Sequence, residues 1–212
     1  MTDRLNKIFS FLPNCKVFAD IGCDHGYIAK AMIKSSKCNR VIISDISQKC
    51  LDKAVELLSE EISQGIAKSV VCDGFNGVVG ADLALIAGMG GKEIISILES
   101  AEDLPERLVL QPMKNCPEVR KCVVKLGYKI ITDFVFFSAN KYYDLLVLEK
   151  GEDHLTEEEI DFGRTNLREK GKDFIQRIKE EIKKANGYLS ANVSEKTRLE
   201  ITENIKKLEK YV

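Results

Sequence analysis

The spacing of apolar positions changes character once along the chain. Between Lys16 and about Lys150, short β-branched runs alternate with segments of three- and four-residue periodicity; beyond Gly151 the spacing is helical throughout. Such alternation predicts a parallel sheet covered by helices. Strands are predicted at 17–20, 41–45, 69–72, 83–87 and 108–111. Ser47 can cap a helix that places Leu51, Ala54, Val55 and Leu58 on one face. A second helix candidate spans 92–98, and a third lies over 119–126, framed by Pro117 at its start and Gly127 past its end. Two β-rich runs, 129–137 and 141–150, are separated only by Ser138, Ala139 and Asn140, which predicts a hairpin and so an antiparallel last pair.

After Gly151, Thr156 and Glu159 form a capping box, with Leu155 and Ile160 placed as a hydrophobic staple. One long helix is predicted from there, carrying Leu167, Phe174, Ile178, Ile182, Ala185 and Leu189 and stopping near Gly187. A second helix, capped by Ser194, aligns Ile201, Ile205, Leu208 and Val212. The pair should be antiparallel, joined within 186–193. The expected organisation is a catalytic sheet domain over 1–151 and a helical hairpin domain over 152–212. The two should be separable near Gly151.

Composition narrows the class. At 212 residues with 44% hydrophobic and 31% charged residues, the chain suits one cored domain plus an extension. No apolar run approaches the roughly 20 residues of a membrane span, and no apolar stretch follows Asp3, Arg4 and Lys7, so a cytoplasmic protein is expected. The seven cysteines form no CxxC pair and only His25 and His154 are available beside them, so no structural metal is expected. A net charge of −1 argues against an all-over basic nucleic-acid binder but leaves room for a local patch.

The segment VFADIGCDHGYIAK, a strand ending in Asp20 followed by glycines at Gly22 and Gly26, carries the most chemistry. A dinucleotide fingerprint would put its second glycine at Asp24 and its third at Tyr27. A carboxylate at Asp24 repels a pyrophosphate and favours a cation, so Asp20 and Asp24 suit S-adenosylmethionine, with its ammonium and sulfonium, better than NAD. Asp45, with Ile46 after it, ends the second strand where a carboxylate can take ribose hydroxyls. Asp73 and Gly74 follow the third strand, with Asp73 placed to accept from the adenine amino group. AGMGG at the fourth strand end (Gly88, Met89 and Gly90 among it) strips side chains from the pocket rim. Gln111 and Lys114 stand at the fifth strand end.

The sequence resembles the bacterial tRNA (adenine-22-N1)-methyltransferase family in ADIGCDHGYIAK, SDIS, CDGF, AGMGG and LVLQP, in that order and at these separations, from Arg4-Leu5 to Glu149. It departs at Met113, where many members have the asparagine of QPN, and at Ala29, where proline is common. The resemblance implies a Rossmann-like class I methyltransferase sheet with an antiparallel last strand and a small coiled-coil-like C-terminal domain. It also implies S-adenosylmethionine as cofactor and methyl transfer to N1 of adenine 22 in tRNA. On that chemistry Asp24 would stabilise the cationic product, and His25 would assist proton loss or hold the turn. Tyr27, Tyr142 and Tyr143 would stack the turned-out base. Between Arg164 and Lys184 eight basic residues face four acids, and Arg168, Lys172 and Lys179 would take phosphates. A methyltransferase of another substrate, with the helices as lid or dimer interface, and a non-catalytic binding module of the same fold remain alternatives.

Overall fold

The computed structural model describes residues 1–189 and 194–212. Its centre is one seven-stranded sheet in the order β3-β2-β1-β4-β5-β7-β6. The strands are β1 (Val17–Ile21), β2 (Arg40–Asp45), β3 (Ala67–Val71), β4 (Leu83–Met89), β5 (Arg107–Pro112), β6 (Tyr128–Ser138) and β7 (Lys141–Lys150). The first five are parallel; β1, β2, β4 and β5 are largely buried and show near-continuous apolar runs, whereas the edge strand β3 (AKSVV) buries only Ala67. β7 runs antiparallel between β5 and β6, and Ala139 and Asn140 turn the hairpin with φ of +47° and +60°.

Two apolar cores form, one on each face of the sheet. Helices α1 (Asp3–Ser10), α2 (Tyr27–Lys34), α3 (Gln48–Leu57) and the short α4 (Ser59–Ser63) belong with Phe18, Ile43, Leu85 and Leu145. Helices α5 (Gly91–Ser100) and α6 (Cys116–Lys125) cover Ala19, Ile86, Leu110 and Tyr128. Ser47 accepts from the Cys50 N–H as the α3 cap, and Pro117 lies in the first turn of α6. α1 was absent from the predicted elements; the Thr2 hydroxyl caps it and Ile8 anchors it.

Beyond Gly151 the predicted long helix is three: α7 (Glu157–Phe162), α8 (Arg164–Glu169) and α9 (Lys172–Leu189). The Thr156–Glu159 capping box is present. The chain breaks at Gly163, whose φ is +87°, and at Lys170, whose φ is +46°. A Cβ at Gly163 would lie 2.6 Å from Asp133 Oδ2 and 2.8 Å from Arg120 Nη2, so the break follows from what lies beneath it. Gly187 does not stop α9, which runs on to Leu189 and so takes up the first half of the joint expected over 186–193; the remainder, 190–193, lies outside the described residues. Helix α10 (Glu195–Glu209), capped by Ser194, completes a small core of Phe174, Ile178, Leu208 and Tyr211. Val212, placed on the predicted apolar stripe, is exposed.

The tail also finishes the sheet. β6 is an edge strand, and edge N–H groups left open invite pairing with other chains. Here Asp153, Thr165, Asn166 and Asp173 accept from the N–H groups of Ile130, Asp133, Val135 and Phe137 at 2.9–3.0 Å. Beneath them Arg120, 1% exposed, donates to Asp133 at 2.8 Å and to the Ile160 carbonyl at 3.0 Å. Among the described residues no helix is long and apolar enough to cross a membrane.

Candidate functional site

The carboxyl ends of β1, β2 and β4 open onto a cleft of two adjoining lobes, where ligands of open α/β sheets bind. The larger, about 710 Å³, is lined by Arg4, Asp20, Cys23, Asp24, His25, Tyr27, Ala87 and Tyr143 among others. The smaller, about 360 Å³, holds Asp45, Ile46, Cys72, Asp73, Gly74, Met89 and Ile97. Gly22 lines both. Its φ is +68°, and a Cβ there would collide with the methyl of Met89, so glycine is what lets the two lobes meet beneath that side chain.

Local sequence explains each carboxylate's position. Asp20 ends the buried β1 and is 6% exposed; burial pushes its carboxyl up to about 7, although the Ala29 N–H donates to it. No cation lies within ion-pair distance of it among the described residues. Asp45 accepts from the Ser47 N–H at 2.9 Å and the Asp24 N–H at 3.4 Å, so it shapes two turns while lining the smaller lobe. Asp24, at φ +45°, is exposed at the rim, 3.1 Å from Lys53 Nζ and 3.6 Å from His25 Nε2. The His25 ring stacks on Tyr27 at 5.3 Å.

Several expected site residues do not line the lobes. Gly26 is a packing glycine, because a Cβ there would stand 2.9 Å from the Ala54 Cβ of α3. Gly90 caps α5, donating to Glu93 at 2.7 Å, and Lys114 lies alongside, its Cε 3.2 Å from where a Gly90 Cβ would be. Gln111 is fully buried and accepts from Arg4 at 2.6 Å, which makes it a support and not a direct substrate contact. Arg4 was not among the expected site residues. Its guanidinium stands 5.7 Å from the Tyr143 ring centroid and covers Gly88, where an added Cβ would meet it at 3.3 Å. The Thr2 cap and the apolar spacing of Leu5, Ile8 and Phe9 could have revealed α1, but no local signal gives its fold onto the cleft. Lys53, which pairs with Asp24, was also missed.

The tail cations separate into two kinds. Arg164 is engaged by Asp153 and Glu159, Arg168 by Glu169, and Arg177 by Asp144 and Glu181. Lys172 and Lys179 are exposed. At 100° per residue they lie about 140° and 160° around α9 from Arg177, the side chain that faces the β6–β7 hairpin.

A parallel five-strand run closed by an antiparallel β7, with a carboxylate-rimmed cleft at its strand ends, defines a Rossmann-like domain of the methyltransferase class. The sequence profile described as TrmK, tRNA (adenine(22)-N(1))-methyltransferase, matches residues 18–210. The chain belongs to that family. It is 30% identical over 162 residues to a Bacillus subtilis tRNA (adenine(22)-N(1))-methyltransferase, an alignment covering 72% of this chain and 66% of that one. The chain thus spans just under two thirds of that relative's length. Against the structure of M. capricolum TrmK in complex with S-adenosyl-homocysteine the TM-score is 0.88 at 26% identity, covering 100% of this chain and 97% of the other. A Streptococcus pneumoniae protein of known structure shares the fold at TM-score 0.92, 23% identity and 99% coverage of its chain, across all of this one.

Proposed function

We propose that the chain transfers a methyl group from S-adenosylmethionine to N1 of adenine 22 in cytoplasmic tRNA. One observation carries the reading: a buried Asp20 and a half-buried Arg4, neither with an oppositely charged side chain within ion-pair distance among the described residues, line the same lobe. A zwitterionic amino-acid end matches that pair, Asp20 for its ammonium and Arg4 for its carboxylate. In the smaller lobe Asp45 suits ribose hydroxyls and Asp73 an adenine amino group, between the apolar Ile46, Met89 and Ile97. When bound, the cofactor supplies an electrophilic methyl on sulfur.

The residues around that methyl have to align and not deprotonate, since N1 of neutral adenine already carries an in-plane lone pair. Tyr27, 46% exposed, offers a ring face to a base turned out of its stack, whereas the expected platform Tyr143 is buried between Phe136 and the Arg4 guanidinium and only borders the lobe. Ala87 and its following glycines offer carbonyls to the adenine amino group. Asp24 sits on the rim to meet the positive charge that methylation creates, with Lys53 drawn off it as the base enters. In this division of labour residues 1–151 hold cofactor and base, and 152–212 complete the sheet edge.

Incubating unmodified tRNA with labelled cofactor, then analysing the nucleosides, should yield 1-methyladenosine; label confined to protein or small molecules would defeat the reading. Asp24→Asn should lower turnover at least tenfold while tRNA affinity stays within about twofold, because charge is lost and shape is kept. Equal turnover would return Asp24 to the turn. Asp45→Ala should weaken cofactor binding by about 1.5–3 kcal/mol, the worth of hydrogen bonds to a charged acceptor. Calorimetry reads this directly, and unchanged affinity in a folded variant would remove the ribose assignment.

A further inference from the structure

We propose that the groove between the β6–β7 hairpin and α9 carries the RNA strand that flanks the target nucleotide, with Lys141 and Lys184 on its phosphates. The inference rests on the reading of tRNA as substrate. The groove encloses about 470 Å³ and is lined by Met113, Lys141, Tyr142, Glu180 and Lys184 among others. Tyr143 lines both this groove and the larger lobe, so the two adjoin at one residue. A nucleotide entering the cleft beside Tyr143 would bring its neighbour in the chain to the groove on the other side of that residue.

The charges in the groove favour a polyanion despite its acids. Glu180 is engaged by the Tyr142 hydroxyl at 2.8 Å and by Gln176 at 3.3 Å. Glu181 is paired with Arg177 at 2.9 Å, and Arg177 also reaches Asp144 at 3.0 Å. Lys141 and Lys184 are exposed, and neither has a carboxylate within 4 Å among the described residues. They are therefore the groove's cations outside a direct ion pair, although Lys184 adds to the Tyr142 and Gln176 hydrogen bonds that hold the Glu180 carboxyl below the usual range. At its edge Phe137, 47% exposed, rests on Tyr142 with ring centroids 4.9 Å apart, and Met113 is 46% exposed. Apolar and aromatic faces beside free lysines are what an unpaired RNA strand uses, bases stacking while phosphates pair.

Helix geometry makes the proposal discriminating. Arg177, Glu181 and Lys184 share the groove side of α9, whereas Phe174 and Ile178 pack into the tail core. Lys172 and Lys179, which composition alone favours for phosphate binding, lie on the opposite side.

Two double variants test it: Lys141→Gln with Lys184→Gln, and Lys172→Gln with Lys179→Gln. Binding of an unmodified tRNA transcript is followed by anisotropy across a salt series, with cofactor affinity measured in each variant as the check on folding. The groove pair should lose about tenfold in tRNA affinity near 0.1 M salt. Its slope of log affinity against log salt should become shallower by between one and two, since each phosphate contact contributes about 0.7–0.9. The opposite-face pair should stay within about twofold, and turnover at saturating tRNA should be unchanged in both. Wild-type affinity and slope in the groove pair, or an equal loss in the opposite-face pair, would overturn the groove while leaving the substrate reading intact. A wild-type chain that neither binds nor methylates tRNA would overturn both.

Discussion

Arg120→Met should cost about 3–5 kcal/mol of folding stability, because it leaves a carboxylate buried with no countercharge. Asp133 is 0% exposed, and Arg120 is its cationic partner at 2.8 Å. The arginine also donates to the Ile160 carbonyl and stands 3.6 Å from Asp144, so one side chain joins α6, β6, β7 and α7. Against a typical total of about 5–15 kcal/mol, that loss leaves a marginal protein. Adding Asp133→Leu to Arg120→Met should restore part of it, since removing both charges ends the unpaired state. Urea unfolding of the single and double variants decides the matter; a loss below about 1 kcal/mol in Arg120→Met would mean that Asp133 is satisfied another way. The same contacts bear on truncation near Gly151. A cut there removes the acceptors on four β6 N–H groups as well as the cover over Arg120, so a loss of solubility would reflect the exposed edge and not a lost RNA surface.

Asp20→Asn should weaken cofactor binding on the order of 100-fold, as expected when one partner of a buried charge pair is removed. It should also stabilise the cofactor-free protein. The sign follows from the carboxyl being raised from 3.8 to about 7 by burial. Between those values the folded state holds a proton that the unfolded state has lost, so folding stability falls as pH rises through this window. From pH 5 to pH 8 the wild type should lose on the order of 2–3 kcal/mol through this group, and Asp20→Asn should lose none of it. Cofactor affinity should move in the opposite direction, increasing up to about pH 7 as Asp20 ionises and then levelling off. A pH-independent wild-type affinity over pH 5–8 would show that Asp20 does not meet the ammonium.

What was legible in the sequence was local. β-branched runs marked the five parallel strands, Ser47 and the Thr156–Glu159 box marked helix starts, and the short link of Ser138, Ala139 and Asn140 marked the hairpin, of which only Ala139 and Asn140 form the turn. The carboxylates at successive strand ends placed the cleft, since parallel strands deliver their ends to one edge. What was not legible depends on contacts distant in sequence. Gly163 breaks the tail because Asp133 and Arg120, 30 and 43 residues earlier, leave no room for a side chain. Gln111 looked available to substrate because nothing near it announces Arg4, 107 residues away. The basic run from Arg164 to Lys184 counted charges correctly, but the α9 contacts were needed to show which of them turn toward the groove beside the β6–β7 hairpin.

The central claim is methyl transfer to one nitrogen of one nucleotide. Its most direct measurement pairs two unmodified transcripts of one tRNA, one carrying adenine at position 22 and the other guanine there, each incubated with excess cofactor and mapped by mass spectrometry of nuclease fragments. The account predicts close to one methyl per adenine-22 transcript, located on that base as 1-methyladenosine, and none on the guanine-22 transcript. Equal methylation of the two transcripts, or a methyl at any other position, would contradict it.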